Sequence, residues 1–186
     1  MKDFLKNALG KFGLDFSYYK PCHIVLIPYD RLLETISIVS NHQQGRFEQL
    51  TTITAIDDPS LKDRFCVSYH FLSMTYHERL IIKLNINEST PIPSITRLFS
   101  CANWYEREVF DMFGIKFVGH PNLKRLLNED DFVGYPLRKD FPVTGYTQSY
   151  YDHQTNKVEK KPADFSDQPY RQFHLGDSWK GHKNNF

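Results

Sequence analysis

Cysteine is scarce in this chain. It occurs three times in 186 residues, as Cys22, Cys66 and Cys101, widely spaced and never as Cys-x-x-Cys. An odd number so placed argues against a disulfide framework and against a cluster held by cysteine alone. Reduced, buried thiols are expected, within strands and at the approach to a helix. Long apolar runs are also missing. The longest, Ile24–Ile27 and Leu80–Ile82, fall far short of the roughly 20 residues a membrane-crossing helix needs. The opening Met1-Lys-Asp-Phe-Leu-Lys has neither the apolar centre of a signal peptide nor the Arg- and Ser-rich character of a transit peptide. The expectation is a protein that works where it is made or has already been processed. Charge of one sign is lacking too: 23 Lys and Arg against 22 Asp and Glu leave a net charge of +1, too little to draw in nucleic acid or acidic lipid. Finally, Gly-x-Gly-x-x-Gly, Gly-x-x-x-x-Gly-Lys-Ser/Thr and Gly-x-Ser-x-Gly do not occur. The usual cradles for dinucleotides and nucleoside triphosphates, and the usual serine-hydrolase elbow, are therefore not expected.

What the chain does have is ordinary globular composition, 40% hydrophobic and 24% charged, with many aromatics, 11 Tyr and 15 Phe. Residues 2–13 place Phe4, Leu5, Ala8, Leu9 and Phe12 on one side of a short amphipathic helix. His23–Ile27 reads as a strand ended by Pro28. Arg31–Val39 has helical spacing, with Asp30 placed to cap it. Phe47–Ile56, Arg64–Met74 and Arg79–Ile86 read as three consecutive strands, the last two joined through Tyr76–Glu78. Pro91-Ile-Pro93 is rigid and not expected to continue a sheet. A short helix is expected around Ser94–Phe99. A second follows, with Asn103 and Glu106 as a capping box and Gly114 as its stop. Ile115–Val118 reads as a short strand and Leu123–Leu127 as a turn or two of helix. The order predicts an α+β fold: two layers, a mixed and largely antiparallel sheet, and helices on one face.

The composition changes after Gly145. Of Ile, Leu, Val and Met, residues 146–186 contain only Val158 and Leu175, yet they carry Tyr146, Tyr150, Tyr151, Phe165, Tyr170, Phe173, Trp179 and Phe186. Such a stretch cannot bury a core of its own. Aromatic anchors on a polar strap fit a long extended C-terminal arm laid across a partner, in preference to one packed back on its own domain. The expected division is an extension or helix at 1–20, a domain at 21–145 and the arm at 146–186.

Two constellations carry charge. Glu106, Arg107, Glu108 and Asp111 lie on one predicted helix, where Glu108 and Asp111 share a face and Arg107 reaches Asp111. With His120 they would make a carboxylate and imidazole metal site suited to hydrolysis. No His-x-x-x-His or Glu-x-x-His pair supports it, and an ion-paired docking helix is the preferred reading. In Pro136-Leu137-Arg138-Lys139-Asp140-Phe141-Pro142 the prolines favour a stiff extended strap that presents Arg138, Lys139 and Asp140. Arg138 offers a planar fork for a carboxylate or for backbone carbonyls.

Glu106-Arg-Glu-Val-Phe-Asp-Met-Phe-Gly-Ile115, then Phe117-Val-Gly-His-Pro-Asn-Leu-Lys-Arg-Leu-Leu127, then Gly134-Tyr-Pro-Leu-Arg-Lys-Asp-Phe-Pro142 together resemble the signature of the 30 kDa subunit of respiratory complex I. The resemblance runs over residues 22–152 and includes Gly114, His120, Pro121 and Arg125. It implies a structural subunit in the hydrophilic arm of a proton-pumping NADH:quinone oxidoreductase. The implied partners are the large quinone-site subunit and the terminal-cluster subunit. FMN, iron–sulfur clusters and quinone would sit in neighbours, with no catalytic, cofactor or metal residue in this chain. The implied place is the matrix side of the mitochondrial inner membrane, favoured by abundant Asn, Ile, Lys, Phe and Tyr as from an AT-rich organelle gene, ahead of the cytoplasmic face of a bacterial membrane. A related photosynthetic complex has a similar subunit, but Gly145-Tyr146 and Tyr150-Tyr-Asp152 look more like the respiratory type. Where the family usually has Gly-His-Pro-Leu-Arg-Lys, this chain has Tyr135 in place of the His, so no proton-transfer role is expected there. Asn128-Glu-Asp-Asp-Phe132 replaces a less acidic family segment and would suit a basic patch on a neighbour. The rival readings are the metal-assisted hydrolase and a free-standing binding module.

Overall fold

The computed structural model describes residues 15–19, 22–43 and 45–164. Chain contacts divide the protein into two compact units, Met1–Pro142 and Val143–Phe186. In the first unit, β1 (Asp15–Tyr19), β2 (Cys22–Leu26), β3 (Gln49–Asp57), β4 (Phe65–Ser73) and β5 (Glu78–Ile86) form one sheet in the order β1-β2-β5-β4-β3. Within this sheet only the β2–β5 ladder is parallel. The single parallel pair arises because β2 leads into a helix, which returns the chain to the far edge of the sheet.

Side-chain alternation decides which face is the core. Val25 pairs with Ile82, Ile82 with Tyr69 and Tyr69 with Ile53, and all four are buried. The opposite row, Ile24, Ile81, His70 and Thr52, is only half-buried. Two helices cover the core row: α1 (Leu32–Asn41) with Leu32, Ile36 and Val39, and α2 (Ala102–Phe113) with Ala102, Val109 and Phe113. These residues and the sheet's inner face belong to a single apolar cluster. Each large side chain so buried contributes about 1.5–3 kcal/mol. The result is the predicted mixed sheet with helices on one face.

Several local expectations are corrected. Asp30 does not cap α1; it lies in a 3-10 turn, Tyr29–Arg31, that feeds the helix, and no side chain caps it. Residues 94–99 form one turn closed on the Ile95 carbonyl, not a helix. Ile92–Pro93 (β6) does pair, in parallel with Phe117–Val118 (β7). The donors are the flanking Ile92 and Ser94 N–H groups, so the missing N–H of Pro93 costs nothing. Residues 123–127 are not helical. Cys22 and Cys66 are half-buried and Cys101 is exposed, all three as free thiols. Strand β1 was not anticipated, and the helix expected at 2–13 lies outside the described residues.

In the second unit, Thr147–Asp152 (β8) and Lys157–Pro162 (β9) make an antiparallel hairpin. This part of the expected arm therefore folds back on itself. Residues 165–186 lie outside the described residues.

Candidate functional site

Four of the residues singled out by sequence, Arg107, Asp111, Arg125 and Arg138, gather around the C-terminal half of α2. The helix carries a continuous inward stripe, Ala102, Glu106, Val109 and Phe113, which are all buried. Beside it, Arg107 and Asp111 are also buried, whereas Glu108 is exposed. Glu108 and Asp111 are thus separated: a step of three residues carries Glu108 beyond the edge of the covered face. Asn103 is no cap either. The helix begins at Ala102 with no side-chain cap, and Glu106 turns into the core, where its Oε1 accepts the Ile95 N–H at 2.7 Å.

Asp111 organises the following loop. Its carboxylate accepts the N–H groups of Leu126, Leu127 and Asn128 at 3.0, 2.7 and 2.9 Å. It also accepts the Asn128 amide at 3.0 Å and Arg125 Nη1 at 2.7 Å. This ring of donors explains why residues 123–127 bend instead of winding into a helix: three successive N–H groups point at one oxygen. Burial alone would raise the Asp111 pKa. The Asn128 N–H and amide, Arg125 and the Leu126 N–H overcome it and hold the carboxyl well below the usual range. The expected Arg107–Asp111 pair does not form. Arg107 donates from Nε to the Lys124 carbonyl at 3.1 Å and from Nη2 to that of Arg125 at 2.8 Å, with its guanidinium over the Trp104 ring.

Arg125 spans outward from Asp111, donating Nη2 to the carbonyls of Phe132 and Gly134 at 2.7 and 3.0 Å. Residues 136–142 then form turns, not an extended strap: the Arg138 N–H bonds the Tyr135 carbonyl and the Phe141 N–H that of Arg138. The turned form is favoured because it caps α2. Arg138 Nε donates to the Phe113 carbonyl at 2.6 Å, and the Leu137 N–H donates to that of Met112 at 3.1 Å. A guanidinium placed there also complements the negative end of the helix dipole. Arg138 further pairs with Glu88 and lies over the rings of Tyr135 and Phe65. Tyr135 is thus a packing partner of two arginines, since Arg125 stacks on it as well.

A second ion cluster anchors the same turn to the sheet. Arg64 makes a fork to Asp57 at 2.5 and 2.7 Å and reaches Asp140 at 3.0 Å. The Lys139 N–H also donates to Asp57, at 2.7 Å. The Arg64 fork, against the cost of burial and helped by that N–H, lowers the Asp57 pKa. Phe141 stacks on Phe132 at 5.8 Å. Asp57, Arg64 and Glu88 were not among the expected site residues. A signal was available in Asp57-Asp58-Pro59-Ser60, which reads as a turn, with Arg64 close behind it. Because a lysine ammonium cannot reproduce the planar fork, Arg138→Lys is expected to destabilise the first unit by about 1–3 kcal/mol, read as a lower midpoint in denaturant.

The proposed metal ligands are not brought together. Glu106 faces Ile95, Asp111 faces Arg125, and Glu108 is exposed. His120 sits between the Asn103 carbonyl and the Asn122 N–H at 3.1 and 3.0 Å; the following Pro121 is exposed. Among the described residues no group of three His, Cys, Asp or Glu side chains could hold an ion, and no helix is long and apolar enough to cross a membrane.

The fold and this helix-clamping network define a structural α+β domain whose ionic groups hold its own backbone. Its relatives make that class specific. The family described as respiratory-chain NADH dehydrogenase, 30 Kd subunit, matches residues 25–147. The mitochondrial NADH dehydrogenase [ubiquinone] iron-sulfur protein 3 of Candida albicans is 40% identical over 94% of this chain and 62% of its own length. An NADH-quinone oxidoreductase subunit of Ruegeria pomeroyi is 47% identical over 81% of this chain and 74% of its own length. A chain in the structure of the membrane-bound sulfane sulfur reductase, an archaeal respiratory membrane complex, shares the fold, with a TM-score of 0.66 at 23% identity, over 76% of this chain and 85% of that one. This chain belongs to the respiratory-chain NADH dehydrogenase 30 kDa subunit family. It spans somewhat less than two thirds of the length of the Candida albicans relative.

Proposed function

We propose that this chain is a non-catalytic peripheral-arm subunit of a proton-pumping NADH:quinone oxidoreductase, and that it supports electron transfer from NADH to ubiquinone by stabilising the quinone-proximal module. The observation that carries this is the use made of the signature side chains. Glu106, Arg107, Asp111, Arg125 and Arg138 all bond the chain's own backbone. Groups spent in this way shape a rigid surface and are not free to react. FMN, clusters and quinone belong, on this reading, to neighbouring chains. The partners are the large quinone-site subunit and the terminal-cluster subunit. They are met through the exposed part of the signature: Trp104, Glu108, Leu127, Val133 and Leu137. The place is the matrix face of the mitochondrial inner membrane, in keeping with the name of the Candida albicans relative. The cytoplasmic face of a bacterial membrane is second, in keeping with the Ruegeria pomeroyi relative.

The second unit supports a docking role. Its hairpin exposes Tyr146, Tyr150, Tyr151 and Val158, and a two-stranded ribbon is at best marginally stable by itself. Limited proteolysis of the full chain by itself should cut within residues 143–186. In the assembled complex the same bonds should be protected. Equal sensitivity in both states would remove the arm from the account. The hydrolase reading predicts stoichiometric metal in the purified chain; elemental analysis finding none would eliminate it.

A further inference from the structure

One buried carboxyl in the signature helix has no counter-charge. Glu106 has no solvent exposure. Its Oε1 accepts the Ile95 N–H, but its Oε2 makes no hydrogen bond, although the Ser94 hydroxyl lies near enough to favour the charged form. The buried and half-buried arginines near α2 are committed elsewhere: Arg107 to the carbonyls of residues 124 and 125, Arg125 to Asp111, Arg138 to Phe113 and Glu88, and Arg64 to Asp57 and Asp140; Arg97, in the turn before α2, is exposed. Among the described residues no cation pairs with Glu106. From β3 the inward residues are Leu50, Ile53, Ala55 and Asp57, and Asp57 is already paired. From the turn before α2 come Ser94 and Ile95. From β4 comes Tyr69, whose hydroxyl is likewise buried without a partner and feels the charge of Glu106. A buried carboxyl oxygen and a buried phenol oxygen that both lack a partner are costly if the carboxyl is ionised and less so if it carries a proton.

We propose that Glu106 is held as the neutral acid and that one internal water joins its Oε2–H group to the Tyr69 hydroxyl, making this pair a proton-binding site in the core of the subunit. No covalent step is involved; one proton is taken up by the carboxylate as the chain folds. Burial pushes the Glu106 pKa up to about 7, with the Ser94 hydroxyl and the Ile95 N–H opposing it only in part. The unfolded carboxyl keeps its ordinary value, near 4.5. The sign follows. Between these values the folded state binds more protons than the unfolded state, so this contribution to stability is complete below about 4.5 and is lost as pH rises through about 7.

Glu106→Gln tests it, because the amide keeps an acceptor for the Ile95 N–H and a donor for Tyr69 but cannot ionise. Urea unfolding of the full-length chain is compared between variant and parent at pH 5 and pH 8.5. The two should have similar unfolding constants at pH 5, within about fivefold. At pH 8.5 the Gln variant should unfold on the order of tenfold to a hundredfold less. A Gln variant destabilised by the same factor at both pH values would overturn the proposal, because the carboxylate itself would then be the stabilising form. If Glu106→Gln fails to fold, infrared spectra of the parent and of Tyr69→Phe at pH 6 decide. A carbonyl band of a protonated carboxylic acid that shifts on Tyr69→Phe supports the site. Lack of that band, or a band that Tyr69→Phe leaves unmoved, refutes it.

Discussion

Asp111→Ala is expected to cost about 3–5 kcal/mol of the first unit's stability, enough to deplete the folded subunit. The carboxylate is buried and is the shared acceptor of three backbone N–H groups, the Asn128 amide and Arg125. Removing it leaves a mostly buried guanidinium without its counter-charge and three donors without an acceptor. Asp111→Asn should be only partly milder, since its NH2 group would face donors. Equilibrium unfolding measures the loss, and a loss below about 1 kcal/mol would show that water replaces the network. The pH dependence has a definite direction. The folded carboxyl is depressed below its ordinary value near 3.8. Its contribution is therefore present above pH 4 and is lost as pH falls below that value, the reverse of the sign derived for Glu106.

Gly114→Ala is the second large effect, about 2–4 kcal/mol. Gly114 ends α2 in the left-handed region, with φ of 78°, which costs a residue with a Cβ about 1–2 kcal/mol. Space makes it worse. An added Cβ would lie 2.6 Å from the Tyr135 ring and 2.7 Å from Arg138 Nη2. The guanidinium cannot retreat without giving up the Phe113 carbonyl and Glu88. The variant should thus lose both the helix stop and the clamp. Combining Gly114→Ala with Arg138→Ala should cost less than the sum of the two alone, because the second change removes part of the clash. Strict additivity would mean that backbone strain and the Tyr135 contact carry the cost, with nothing from Arg138.

The architecture was legible where side-chain periodicity is clean. Phe65, Val67, Tyr69 and Phe71 alternate along β4, and Leu80, Ile82, Leu84 and Ile86 along β5, so both strands and their inner face follow from a period of two. Gly114 was readable as a helix stop because few other residues take its conformation. The order of the signature was readable too, but the roles of its residues were not. Local rules pair Arg107 with Asp111 at i,i+4 and make Glu106 a cap. In the fold, both carboxylates and the arginine face inward, and loops distant in sequence supply their partners. Charged residues at buried helix positions defeat any reading based on hydropathy, because what stabilises them is the position of other backbone. The prolines at 136 and 142 misled in the same way. They allow an extended strap, but the unsatisfied carbonyls of Met112 and Phe113 favour a turn that brings Arg138 and the Leu137 N–H to them.

The central claim is that these ionic groups build an assembly subunit and not a reacting site. Size measurement of native material tests it most directly. Membranes solubilised gently should yield this chain co-migrating with a very large membrane complex that carries NADH:quinone oxidoreductase activity, with none of the chain left as a free species. Recovery of the chain as a monomer near its own mass of 22.0 kDa, away from that activity, would contradict the account.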